Sequence, residues 1–145
     1  MDFFNRIINA VTELHPAHPM FVHFPIALTG AAFFFILLAY WRNSPVLEQT
    51  AFGNVALASF STVVAGFTGA ADNMKNYEGV APNAAAKMML ATLLFFITAT
   101  ITIVRYRNPE MFQKAHKALY IASYGLSFFI AVVLAFLGGV ILYGF

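Results

Sequence analysis

Residues 21–41 read FVHFPIALTGAAFFFILLAYW and contain no Asp, Glu, Lys or Arg. A helix needs about 20 mostly apolar residues to cross the hydrocarbon core of a bilayer, so this run alone predicts a membrane span. Three further runs of the same kind follow, at 50–71, 88–104 and 118–145. All four are continuously apolar, whereas a strand of a membrane barrel alternates polar and apolar residues. The sequence therefore predicts an all-α fold, a polytopic membrane four-helix bundle.

The composition supports a membrane protein and excludes several kinds of chemistry. Of the 145 residues, 61% are hydrophobic and 10% are charged, against about 25% charged residues in a soluble domain. The chain has no cysteine, which excludes disulfides, iron–sulfur clusters and thiol catalysis. Its net charge of +2 is too small to indicate a nucleic-acid partner. Because no known catalytic motif is present, we expect that the protein is not an enzyme. From its composition, we expect the lipid bilayer to be a partner.

The chain is predicted to form one transmembrane domain over residues 1–145, since no linker or internal repeat divides it. We expect spans at about 21–41, 50–73, 84–106 and 115–143, with an amphipathic interfacial helix at about 2–15 before them. The apolar residues of that first helix recur at helical spacing and are Phe3, Phe4, Ile7, Ile8, Val11 and Leu14.

Capping residues predict where several of the helices begin. Ser44 precedes Pro45 before the second span, and Asn108 precedes Pro109 before the fourth. A capping side chain followed by a first-turn proline is typical of a helix start. Asn83, which follows Pro82, is expected to cap the third span.

The positions of Lys and Arg predict the orientation in the membrane. Four spans place both termini on one side, which carries Arg6, Lys75 and Lys87. The first and third loops lie on the other side, with Arg42, Arg105, Arg107, Lys114 and Lys117. Because cytoplasmic loops carry the excess of Lys and Arg, we expect these two loops in the cytoplasm and both termini outside. At the ends of the third span, Lys87 and Arg105 are expected to extend their charges to the interface.

Three histidines at the start of the first span are the candidate functional residues. His15, His18 and His23 fall within nine residues, and the predicted topology places Asp72, at the end of the second span, on the same side. Neutral imidazole is a common ligand of haem iron, zinc and copper, and a carboxylate often accepts the second ring N–H of such a ligand. We therefore consider a metal site of His15, His18, His23 and Asp72. The alternative is that the histidines lie at the headgroup level without a ligand.

Three stretches resemble one family of small bacterial membrane proteins. HPMFVHFPIAL at 18–28 is similar to the opening signature of the domain of unknown function 2231. TGAAD at 68–72 and FLGGVIL at 136–142 are similar to that family's Gly-x-x-Asp and Gly-Gly pieces. The resemblance implies a four-helix domain of the bacterial inner membrane, without assigned enzymatic activity and sometimes joined to cytochrome-like or other redox modules. It thereby implies electron transfer, with a b-type haem at the external face.

One departure from the family pattern affects the haem ligands. Family members often carry a histidine early in the third helix, whereas AAAKMML at 84–90 has none. Met88 or Met89 is then the candidate sixth ligand opposite His23, with His18 as a further cofactor ligand, because His/Met ligation of haem is chemically normal. The alternative is that both are core methionines. Haem b, a transition metal and no cofactor at all remain open.

Two functions follow from these observations. The first is a non-enzymatic membrane subunit associated with a redox or energy-converting complex, with a haem or metal bound by the external histidine cluster. The second is a purely structural accessory subunit of a larger membrane assembly, with no cofactor of its own. In both, other membrane-protein subunits are the expected partners.

Overall fold

The computed structural model describes residues 3–5, 17–113 and 116–143, and this part of the chain contains four long helices and no strand. Helix α1 spans Ala17–Arg42, α2 Pro45–Asn76, α3 Ala84–Arg107 and α4 Lys117–Tyr143, and a 3-10 turn, Met111–Gln113, lies between α3 and α4. Each helix is long and apolar enough to cross a membrane. The shortest, α3, has 24 residues and a length of about 36 Å, more than the roughly 30 Å hydrocarbon core. The prediction of an all-α fold with four long apolar helices is confirmed. Of the predicted amphipathic helix at 2–15, all but residues 3–5 lie outside the described residues.

The helix boundaries confirm one predicted cap and correct two. The Ser44 hydroxyl accepts a hydrogen bond from the Leu47 N–H at 3.5 Å, and Pro45 is the first residue of α2. Asn83 is the N-cap residue of α3 as predicted, but its backbone is left-handed with φ of 56° and its side chain makes no capping bond, so the predicted side-chain cap is wrong. The prediction for Asn108 is also wrong, because this residue ends α3 instead of beginning α4. The residue before a proline is pushed away from helical geometry, which explains why the helix stops there.

The four helices pack so that each has two neighbours and one helix diagonally opposite. Helix α1 packs on α2 and α4, and α3 packs on the same two neighbours, so α1 and α3 occupy opposite corners. The contact between α1 and α2 is the most extensive, and the core residues Ala32, Ala39 and Ala51 of these two helices are fully buried. Small residues let helix backbones approach closely within a membrane. We call the end of the bundle with the α1–α2 and α3–α4 connections the loop face, and the opposite end the terminal face.

The middle of the bundle carries buried hydroxyls from every helix. Each of these donates to the carbonyl four residues earlier in its own helix, at 2.6–2.9 Å; the donors are Thr29, Thr62, Thr98 and Ser127. Such local bonds satisfy a hydroxyl without a partner from another helix. These four hydroxyls of the described helices therefore leave no donor unpaired in the middle layer.

Candidate functional site

His18 is half-buried and packs against α2 at the terminal face. Its Nδ1 lies 3.3 Å from the Thr68 hydroxyl. A Cβ placed on Gly69 would lie 2.7 Å from the His18 Cε1, closer than real Cβ contacts. The glycine is thus required for the imidazole to lie against the α2 backbone. The TGAAD stretch places α1 and α2 together through this contact.

Asp72 follows Thr68 by one helical turn and brings a charge to the same place. Its carboxylate accepts a hydrogen bond from the Asn76 side chain at 2.5 Å. It is close enough to interact electrostatically with both His18 and Lys87. We call His18, Thr68, Asp72 and Lys87 the terminal-face cluster; it joins α1, α2 and α3. The structure therefore brings together two of the four predicted metal ligands, His18 and Asp72.

His23 does not belong to this cluster. It follows His18 by five residues, which turns its side chain by about 140° around the helix, and it is exposed. The His23 Nδ1 lies 2.5 Å from the Pro19 carbonyl oxygen. Since a carbonyl oxygen only accepts hydrogen bonds, Nδ1 carries the hydrogen, and in the neutral ring Nε2 is then the acceptor nitrogen. The imidazole is therefore oriented by its own helix and presents an acceptor nitrogen to the outside of the bundle.

Met88 and Met89 lie on the outer surface of α3. Both are exposed, at 60% and 73%, so the alternative that they are core methionines is wrong. With Thr92, Leu93 and Phe96 they line a shallow apolar groove. Because α1 and α3 occupy opposite corners, the structure does not bring either methionine next to His23. A role for them as haem ligands stays a prediction.

The described residues do not by themselves form a metal site. No three His, Asp or Glu side chains within 17–113 and 116–143 are grouped as metal ligands. His15 lies outside the described residues, so the full predicted set of His15, His18, His23 and Asp72 stays a prediction. The structure shows one imidazole held between helices and one presented outward.

A second polar centre, which the sequence analysis missed, lies near the loop face. Glu48 of α2 is 2% exposed and receives two hydrogen bonds from Arg105 of α3, from Nε at 2.6 Å and from Nη2 at 2.7 Å. Tyr120 of α4 donates to the same carboxylate at 2.8 Å, and its hydroxyl also lies 2.8 Å from that of Tyr124. We call these four residues the Glu48 network. Paired, two-pronged bonds between Arg and a carboxylate are among the stronger hydrogen bonds in proteins.

The Glu48 network corrects the expectation for Arg105. Its guanidinium does not extend to the interface but pairs with Glu48 and lies 5.4 Å from the centre of the Phe52 ring. The signals in the sequence are one acid in the first turn of α2 and two tyrosines four residues apart in an apolar run. Nothing local shows that they meet, because Glu48 and Tyr120 are 72 positions apart.

Comparison with known proteins gives one match. The family described as predicted membrane protein, domain of unknown function 2231, matches residues 14–145. No curated protein and no solved structure matches the chain.

Proposed function

The chain belongs to the domain of unknown function 2231 family of membrane proteins, and from that premise we propose that it is a non-enzymatic subunit of a redox or energy-converting membrane complex. In this proposal His23 is one ligand of a haem b or metal centre at the terminal face. The other ligands come from a neighbouring subunit or from His15.

The orientation of His23 is the observation that carries the proposal. A histidine that binds a metal commonly donates its other ring N–H to a carboxylate or a backbone carbonyl, which fixes the tautomer and the ring. The bond to the Pro19 carbonyl has this form and leaves Nε2 as the ligand atom. A polar ring exposed just inside an apolar span is also costly unless it finds a partner.

The ligand atoms that the described residues offer fit a haem or metal centre shared with another subunit better than a centre enclosed within this chain. His23 supplies a single nitrogen, and Met88 and Met89 lie on another corner of the bundle. Every buried side-chain nitrogen and oxygen of the described residues already has a hydrogen-bond partner. A haem or metal held at the surface would supply one-electron transfer, while this chain would hold and orient one imidazole.

In this proposal the terminal-face cluster positions His23. His18 fixes the beginning of α1 against α2 through Gly69 and Thr68. His23 lies on the same helix less than two turns further on. The depth and direction of the His23 ring therefore depend on this contact between α1 and α2.

The proposal is tested in membranes from cells that produce the tagged full-length chain. The chain is purified under mild conditions with its associated subunits, and metal content and haem absorbance are measured per mole of chain. The variants are His23→Ala and, as a matched control, His116→Ala, an exposed histidine at the loop face. We expect haem or metal with wild type and with the control, and a loss of at least 80% with His23→Ala. Equal content in all three would contradict the role of His23.

The alternative is a structural subunit without a cofactor. The observation in its favour is that the buried side-chain nitrogens and oxygens of the described residues are all hydrogen-bonded, so they need no ligand. It predicts a colourless, metal-free wild-type chain that still purifies with membrane-protein partners. That result would replace the redox proposal.

A further inference from the structure

Asn54 places a half-buried amide at the apolar surface of α2. It is the only Asn or Gln within the four apolar runs of the sequence. Its Nδ2 donates to the Thr50 carbonyl at 2.9 Å, in a bond that lies at the surface. Within the described residues, the amide oxygen and the second N–H of Asn54 form no hydrogen bond. Unused bonding capacity of this kind is costly in hydrocarbon, so Asn54 indicates a polar partner outside the bundle.

The position of Asn54 along α2 places the amide below the lipid headgroups. Trp41 is 78% exposed just before the α1–α2 connection, and exposed Trp at the end of a span marks the headgroup level. Helix α2 begins after that connection at Pro45, and Asn54 follows nine positions later, about 13 Å along the axis. Water that could pair with the amide is scarce at that depth.

The outer surface of α2 also has the spacing of a helix–helix contact. Its residues follow one another at alternating intervals of four and three positions, as do the two contact positions of a coiled-coil heptad. We call them the outer row: Val46, Thr50, Gly53, Leu57, Phe60, Val64 and Phe67. All of them except Val64 are exposed. The outer row is about 32 Å long, which matches the roughly 30 Å hydrocarbon core, so a second helix can pack against it across the membrane.

Gln49 and Asn54 flank the outer row on its two sides. In the heptad with contact positions Thr50 and Gly53, Gln49 precedes the first and Asn54 follows the second. In two parallel helices, residues at these flanking positions pair across the contact, each with the residue five positions away in the other helix. Gln49 and Asn54 are five positions apart, and Gln49 is exposed. A second copy in the same membrane orientation therefore brings Gln49 of each chain to Asn54 of the other.

We propose that two copies of this chain form a parallel dimer through the outer row of α2, with Gln49 of each copy hydrogen-bonded to Asn54 of the other. Amides both donate and accept hydrogen bonds, and a two-fold axis repeats each bond. A second copy supplies the matching amides by symmetry, whereas a helix of another protein needs them at the same spacing. Hydrogen bonds between amides stabilise the association of membrane helices. The dimer does not depend on the proposed function, because it involves neither His23 nor a haem or metal.

Cross-linking in membranes tests which face of the chain pairs. The chain has no cysteine, so a single-cysteine variant of the full-length chain reports on one position. Leu57→Cys lies on the outer row, and Leu126→Cys is the matched control, an exposed leucine on α4, which is diagonally opposite α2. After oxidation with copper phenanthroline, we expect at least fivefold more disulfide-linked dimer with Leu57→Cys than with Leu126→Cys. Equal amounts would refute the interface.

Energy transfer between two labelled pools of the purified chain in phosphatidylcholine vesicles tests the amides. We expect Asn54→Leu and Gln49→Leu each to weaken dimerisation by about tenfold, as expected for the loss of two hydrogen bonds between membrane helices. Thr92→Leu is the matched control, because Thr92 is exposed on α3 and donates to its own helix; it should change the affinity less than twofold. Unchanged affinity in Asn54→Leu would refute the pairing. A monomeric wild-type chain would refute the dimer and leave the outer row to lipid or to a helix of another protein.

Discussion

The two ends of the bundle use polar residues in opposite ways. Near the loop face, Glu48 is enclosed and its carboxylate accepts three hydrogen bonds from Arg105 and Tyr120. At the terminal face, His18 and Asp72 are half-buried, and His23 is exposed with one ring nitrogen available. A carboxylate that is enclosed and paired with a cation is not accessible to a ligand, whereas an oriented, exposed imidazole is. The comparison indicates that the Glu48 network stabilises the fold, and it supports the proposal that the terminal face carries the function.

The largest effect is expected at the Glu48 network. Arg105→Gln leaves a buried carboxylate without its cation, which costs about 3–5 kcal/mol of unfolding free energy. Equilibrium unfolding in mixed micelles measures it, with Arg107→Gln as the exposed control. A loss below about 1 kcal/mol would show that water or another cation reaches Glu48. The double variant Glu48→Met with Arg105→Met should recover much of the loss, because it removes both charges.

A smaller loss is expected from Gly69→Ala at the terminal face. The new Cβ would lie 2.7 Å from the His18 ring, and overpacking of this kind costs about 1–3 kcal/mol. Gly53→Ala is the matched control, because nothing lies within 4 Å of a Cβ there. Adding His18→Ala to Gly69→Ala should restore stability. If it does not, the ring contact is not the source of the strain.

Tyr124→Phe should have a smaller effect again. The Tyr124 hydroxyl reaches Glu48 only through Tyr120, so its removal costs about 1 kcal/mol, the value of one hydrogen bond. Tyr120→Phe removes a bond to the carboxylate itself and should cost more. Thermal unfolding of both variants in the same detergent tests this order. The reverse order would contradict the hydrogen bonds that the two tyrosines make around Glu48.

The smallest effect on stability is expected from His23→Gln. Among the described residues the ring is hydrogen-bonded only to its own helix, and the side chain is exposed. The melting temperature should stay within about 2 °C of wild type, as for most surface substitutions. A large drop would mean that His23 is structural and would remove the contrast between the two ends.

The four spans were predictable because each is a continuous apolar run, a signal contained within one helix. The Ser44 cap was predictable for the same reason, since Ser44 and Pro45 act on adjacent residues. Asn108 was misjudged because a residue before proline can end one helix as well as begin another. The preceding α3 continues up to it, and that continuation decides the outcome.

The polar sites were predictable only in part. The proximity of His18 and Asp72 follows from the topology, which places the beginning of α1 beside the end of α2. The pairing of Glu48 with Arg105 joins residues 57 positions apart and depends on the rotation of each helix about its axis. Apolar spans in a lipid environment leave that rotation undetermined, which is why the role predicted for Arg105 was wrong.

The central claim is that His23 is a ligand, and a reduced-minus-oxidised difference spectrum of membranes with equal amounts of wild-type and His23→Ala chain tests it most directly. The proposal predicts a haem band, or stoichiometric metal in the same sample, that is present with wild type and absent with His23→Ala. A wild-type protein with neither, or a band that is unchanged in the variant, would contradict it.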